Sequence, residues 1–222
     1  MRITTNYTRM NSMRKQLAKN AVSVLFFLSL QFAGAAEPAG ESSPAQTFLA
    51  DDLFAGGKWE AGLGTGVLFS PFGANRNRPT INYTISELEL GYMLGDVREL
   101  GWVRGNFELA GSGFGGAIFD GPGSYIAGGT LWLRYNFVPR DWRIVPFAQA
   151  GAGITFAETE RRVLGQTFNF NLDVGVGARY LFDKHWSLDL EYRYQHISNA
   201  NLSGHNLGIN ANGPILGISY FF

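Results

Sequence analysis

From Trp186 to Ser198 the chain alternates between apolar and polar residues. Trp186, Leu188, Leu190, Tyr192 and Tyr194 share one parity, and Ser187, Asp189, Glu191, Arg193 and Gln195 the other. Successive side chains on a strand point to opposite faces, so this stretch predicts a strand with one apolar and one charged face. The pattern recurs. Leu88, Leu90, Tyr92 and Leu94 oppose Glu87 and Glu89. Leu131, Leu133, Tyr135 and Phe137 oppose Trp132, Arg134 and Asn136. Phe168, Phe170, Leu172, Val174 and Val176 oppose Asn169, Asn171 and Asp173. Strand-length segments fall near 58–70, 83–94, 102–113, 125–138, 143–157, 166–182, 185–198 and 212–222.

The links between them alternate in length. Those at 95–101, 139–142 and 183–184 are short; those at 71–82, 114–124, 158–165 and 199–211 are longer and polar or glycine-rich. Short turns at one end and long loops at the other predict an all-β fold, an eight-stranded antiparallel up-and-down transmembrane β-barrel. A soluble barrel would bury the apolar face inside and leave the charges outside. Glu89, Glu108, Arg134, Asp173 and Arg193 argue for the reverse, since they recur at the inner parity and could pair in a narrow lumen. The last strand ends on Leu216, Ile218, Tyr220 and Phe222. That terminal aromatic resembles the assembly signal of outer-membrane barrels.

The first residues supply the route to a membrane. Arg2, Arg9, Arg14, Lys15 and Lys19 precede an apolar run at 21–35, which closes on Ala33-Gly34-Ala35. This reads as a signal peptide over 1–36, with Met10 and Met13 as alternative starts. Residues 37–57, rich in Ala, Pro, Ser and Asp, read as a periplasmic lead-in with little structure of its own. The barrel is expected over 58–222. The leader takes five basic residues with it, which leaves 13 against 18 acidic ones. That balance carries no nucleic-acid footprint. The absence of Cys excludes disulfides and thiolate metal sites. Gly111-x-Gly113-x-x-Gly116 has the letters of a dinucleotide fingerprint but lies at a strand end with no helix after it, so that reading fails. The other glycines, among them Gly62, Gly64, Gly66, Gly175 and Gly177, read as relief of crowding in a small barrel.

Three histidines are present, and their spacing fits no zinc site. His185 reads as interfacial packing and His205 as a solvated loop residue. His196 differs. It shares the parity of the apolar stripe, and so does Ser198. A base and a nucleophile thus extend the lipid-side face of the seventh strand at its outer end. Residues two apart lie roughly 7 Å apart along a strand, within reach of a leaning imidazole. A His and a Ser on one strand face usually do nothing. The Asn-rich stretch that follows (Asn199, Asn201, Asn206, Asn210, Asn212) changes the weighting, because amides can orient an imidazole or donate to an oxyanion. Its plain reading is loop chemistry.

His196-Ile197-Ser198-Asn199-Ala200, then Asn206-Leu207-Gly208, then a last strand ending in Phe222, resembles the lipid A 3-O-deacylases of the PagL type over about residues 192–222. That family is an eight-stranded outer-membrane barrel with an H-x-S-N…N-x-G-x-E pattern. The resemblance implies His196 as base, Ser198 as nucleophile, and Asn206, with Asn199 beside it, at the oxyanion site. The family's triad acid falls at Asn210, where this chain has an amide. An Asn carbonyl can still orient the histidine, and the outer-membrane phospholipase A barrel is known for a Ser-His-Asn arrangement. The implied activity is serine-esterase hydrolysis of an acyl ester, at the 3-O position of lipid A in lipopolysaccharide. No cofactor is expected, and the site would face the outer leaflet. The alternatives are a structural or adhesive barrel without activity, for which Asn210 is the best support, and a phospholipase. The residues admit a homodimer as well as a monomer.

Overall fold

The computed structural model describes residues 50–70, 79–100 and 103–222. The expected signal peptide lies outside the described residues. A helical turn α1 (Ala50–Leu53) is followed by β1 (Trp59–Leu68), β2 (Asn82–Met93), a short β3 (Arg98–Leu100), β4 (Val103–Asp120), β5 (Gly123–Phe137) and β6 (Ile144–Thr159). A second turn α2 (Arg161–Leu164) leads to β7 (Phe168–Leu181), β8 (Trp186–Ser198) and β9 (Ile209–Phe221). Every pairing is antiparallel. β1 pairs with both β2 and β9, and β2 pairs with β4, so the eight long strands close on themselves. Closure leaves no edge of unpaired N–H and C=O groups, which lipid could not satisfy. No described helix is long and apolar enough to cross a membrane.

The period-two pattern sets the two faces. Leu88, Leu131, Leu172, Val176 and Leu190 are exposed on the outside. Glu60, Glu108, Arg134, Asp173, Arg179 and Arg193 are buried in the lumen. Charges in so narrow a space persist only when paired. Arg134 meets Glu89 at 2.6 Å and Glu108 at 3.1 Å, while Arg179 meets Glu60 at 2.6 Å. Arg193 bridges Glu87 and Glu191, each at 2.7 Å, with its guanidinium 4.6 Å from the centre of the Trp132 ring. A lumen cavity of about 40 Å³ remains beside Glu87, Arg134 and Arg179, room for a few waters. Some glycines make room for this filling. A Cβ on Gly177 would lie 2.4 Å from Leu190 O and 2.5 Å from the Phe147 ring.

Three features depart from the sequence expectation. First, the end of the lead-in, residues 50–57, is structured, while 37–49 lie outside the described residues. Leu53 and Phe54 are buried with Met93, Val138, Leu181 and Phe221, and Asn106 donates to Phe54 O at 2.6 Å. The apolar Leu-Phe pair thus closes the end of the barrel that carries the short turns. Second, β4 continues to Asp120, and β5 starts at Gly123, where a long loop was expected. Its glycines sit inside a long hairpin. Third, β9 begins at Ile209. Asn210 therefore belongs to a strand and not to the loop.

Candidate active site

At the end of the barrel opposite α1, β7, β8 and β9 bring the candidate residues together by register alone. His196 lies between Leu172 on β7 and Asn210 on β9, and Phe170 is the β7 partner of Ser198. All share the outward parity. Leu172 and Phe170 are exposed, so the His and Ser continue an apolar surface.

His196 Nδ1 lies 2.6 Å from Asn210 Oδ1. A carbonyl oxygen only accepts, so Nδ1 carries the proton and Nε2 keeps its lone pair. Tyr194 Oη also donates to Asn210 Oδ1, at 3.0 Å. Ser198 Oγ makes no hydrogen bond among the described residues. Catalytic hydrogen bonds frequently tighten only when substrate is bound.

Asn199 and Asn206 do not join this face directly. Asn199 has the opposite parity to Ser198, and its side chain is buried. Its amide donates to Leu164 O, to Ser203 Oγ at 2.7 Å and to His205 O at 2.8 Å. Asn199 thus ties the β8–β9 loop to α2. Leu207 N–H, donating to Val163 O at 2.8 Å, adds a second tie. Asn206 Oδ1 accepts from Asn199 N–H at 3.2 Å, and its Nδ2 donates to Asn201 Oδ1 at 3.1 Å. Both amides hold the loop that borders Ser198.

That loop is strained where it leaves β8. Ala200 and Asn201 have φ of 51° and 63°, and Leu202 N–H closes the turn on Asn199 O at 3.0 Å. A left-handed alanine costs roughly 1–2 kcal/mol. The N–H groups of Ala200 and Asn201 make no hydrogen bond among the described residues. Gly208, with φ of 69°, lies against the pair. A Cβ there would sit 3.4 Å from His196 Cε1 and 3.3 Å from Ile197 O. The sequence reading missed Gly208 and Tyr194 as neighbours of the histidine. Gly208 closes the Asn206-Leu207-Gly208 motif, and Tyr194 has the parity of His196.

His185 lies at the far end of β8, with Nδ1 3.0 Å from Phe221 O and its ring 5.7 Å from Tyr220. His205 is exposed. Neither is hydrogen-bonded to His196 or Ser198 among the described residues. A group of three lumen carboxylates, Glu60, Glu89 and Glu108, lies close enough to hold an ion, but Arg134 and Arg179 already occupy them.

A closed eight-stranded barrel with an apolar exterior, a charged lumen and a histidine on its outer face defines a class, the small outer-membrane barrels. Within it, the model of the family described as Lipid A 3-O-deacylase (PagL) matches residues 99–219, more than half of the 222-residue chain, and the chain belongs to that family. The crystal structure of the outer membrane enzyme PagL is 18% identical, covering 71% of this chain and 97% of its own, with a TM-score of 0.49. Neisserial surface protein A is 14% identical, covering 74% of this chain and 97% of its own, with a TM-score of 0.51. The N-terminal β-barrel domain of Pseudomonas aeruginosa OprF is 17% identical, covering 75% of this chain and 98% of its own, with a TM-score of 0.50. At such identities the last two likenesses speak to fold alone. No curated protein matches the chain.

Proposed function

We propose that the protein is an outer-membrane serine esterase that hydrolyses an ester-linked acyl chain of lipid A, at the 3-O position, with its site toward the outer leaflet. The observation that carries this reading is the 2.6 Å contact between His196 Nδ1 and Asn210 Oδ1 on the lipid-side face, with Ser198 two residues away. The contact leaves Nε2 as a base on the same face as the hydroxyl. Family membership supplies the substrate class.

Ser198 Oγ attacks the ester carbonyl, and His196 Nε2 takes its proton. The carbonyl oxygen becomes an oxyanion. The unused N–H groups of Ala200 and Asn201 are available donors for it, held in place by Asn206 and Asn199. Collapse of the intermediate breaks the bond to the sugar oxygen, which leaves as an alcohol with the proton from His196. Water then attacks the acyl-serine with His196 again as base, and the fatty acid departs. Asn210 orients the imidazole but stays neutral, so it stabilises the imidazolium less than a carboxylate would. Phe170 and Leu172 extend the site as an apolar surface against which the acyl chain can stay in the bilayer.

The test is incubation of the purified, folded protein with lipopolysaccharide, followed by mass spectrometry of the lipid A. Loss of one ester-linked acyl group, with release of the matching fatty acid, is expected. Release from phospholipid and not from lipid A would replace this reading with a phospholipase. No release from either would support a barrel without activity.

A further inference from the structure

The orienting amide of this site has a weakness that a carboxylate lacks. An Asn side chain presents an acceptor at one end and two donors at the other. With Oδ1 toward His196, Nδ1 holds the hydrogen and Nε2 is the base. If the amide turned over, Nδ2 would donate to Nδ1, the proton would move to Nε2, and the histidine could not accept from Ser198. Something must select between the two ends, and the selection has to occur on an apolar outer face.

We propose that Tyr194 is the positioning residue that makes this selection, an inference that rests on the deacylase reading for its catalytic consequence. Tyr194 Oη lies 3.0 Å from the same Asn210 Oδ1 that faces His196. Two donors, the phenol and the imidazole Nδ1–H, converge on one oxygen. Turning the amide over would put Nδ2, a donor, where Oδ1 now accepts, so the phenol hydrogen would lose this acceptor. Loss of that hydrogen bond opposes the wrong orientation. The geometry follows from the register. Tyr194 is opposite Asn212 on β9, and His196 is opposite Asn210. The tyrosine ring therefore reaches diagonally by one step, a span open to aromatic side chains. The same diagonal recurs one step along, where Tyr192 Oη donates to Asn212 Oδ1 at 2.6 Å. No histidine stands beside that bond, so it serves as the internal control. Tyr194 touches no reacting atom and acts only through Asn210.

The experiment reads the tautomer and the rate together. Protein labelled with ¹⁵N in its histidines, folded in detergent micelles, is compared as wild type, Tyr194→Phe, Tyr192→Phe, Asn210→Asp and Asn210→Asp with Tyr194→Phe. His185→Gln and His205→Gln versions assign the signals. Wild type and Tyr192→Phe are expected to show protonated Nδ1 at His196. Tyr194→Phe is expected to show a mixture of tautomers, with kcat lowered about tenfold and KM unchanged; a fully wrong tautomer costs up to about 10⁴-fold. In the Asn210→Asp background both carboxylate oxygens accept, so Tyr194→Phe is expected to change kcat by less than about twofold. Retention of the pure Nδ1–H tautomer in Tyr194→Phe overturns the proposal. So does an equal loss of kcat in both backgrounds, which would mark Tyr194 as structural. The tautomer measurement decides even if the wild type releases no fatty acid, a result that would count against the deacylase reading alone.

Discussion

His196 and Asn210 face each other across the β8–β9 ladder, fourteen residues apart, with Nδ1 2.6 Å from Oδ1. Strand register fixes this relationship, because the two residues are ladder partners. Asn210→Ala is therefore expected to keep the barrel folded, as judged by heat modifiability, and to lower the initial rate of fatty-acid release at least tenfold through loss of tautomer control. Asn210→Glu, which restores a charged partner for the imidazolium, is expected to match or exceed the wild-type rate. Wild-type activity in Asn210→Ala would remove Asn210 from the mechanism. Activity confined to Asn210→Glu would mean the natural protein is a disarmed deacylase.

Ser198 and Ser203 are separated by function more than by distance. Ser198 Oγ is unbonded on the outer face, whereas Ser203 Oγ accepts from Asn199 and donates to His205 O. Ser198→Ala is expected to abolish lipid A deacylation and leave folding intact, since no bond is lost. Ser203→Ala removes loop bonds worth about 1 kcal/mol each and is expected to retain most of the activity. Mass spectrometry of the lipid A from both variants checks this. The reverse order of effects would displace Ser198 as nucleophile.

Much of this arrangement is readable from parity, because which face a strand residue occupies depends only on its neighbours in sequence. The barrel, its reversed polarity and the outward placement of His196 and Ser198 all follow from it. Parity also assigns Asn199 to the inside, where its amide is found. The resemblance alone placed it at an oxyanion. Other features are not local. The pairing of Arg179 with Glu60 joins residues 119 apart, and no pattern in either strand selects that partner. The start of β9 was hidden because Asn210-Ala211-Asn212-Gly213 has loop composition. Only pairing with β8 makes it a strand. The burial of Leu53 and Phe54 likewise depends on Met93, Leu181 and Phe221, which come from three other strands.

The role of Asn199 as a tie gives a third prediction. Asn199→Ala leaves Leu164 O and His205 O without this donor. Hydrogen–deuterium exchange is expected to rise in 161–165 and 202–208, while the strands stay protected. Activity should fall, because the turn at Ala200 and Asn201 loses its support. Asn199→Asp should behave no better, since a carboxylate cannot donate to carbonyls. Unchanged exchange in both segments would show that the loops hold without it.

Gly208 is the glycine that lies against His196. Its φ of 69° disfavours any side chain, and a Cβ would sit tightly against Ile197 O at 3.3 Å and in contact with His196 Cε1 at 3.4 Å. Gly208→Ala is expected to lower activity by about tenfold or more, in line with misplacement of about 1 Å costing as much as 10²-fold. The unfolding midpoint should shift by only about 1–2 kcal/mol equivalent. Activity close to wild type would mean that the imidazole is not held by this contact.

The lumen supplies the opposite case, where stability moves and chemistry does not. Arg193 is buried between Glu87 and Glu191, and its removal leaves two buried carboxylates without their cation. Arg193→Met is expected to destabilise the barrel by about 3–5 kcal/mol, the cost of breaking a buried ion pair by deleting one partner. Arg193→Met combined with Glu87→Gln and Glu191→Gln should recover part of that loss, because no stranded charge remains. The folded fraction of each variant should deacylate lipid A at the wild-type rate, since Arg193 points inward and His196 and Ser198 point outward on the same strand. Urea unfolding in micelles, followed by rate measurement on the folded fraction, checks both halves. A rate loss in folded Arg193→Met would mean that the lumen network communicates with the outer face through β8.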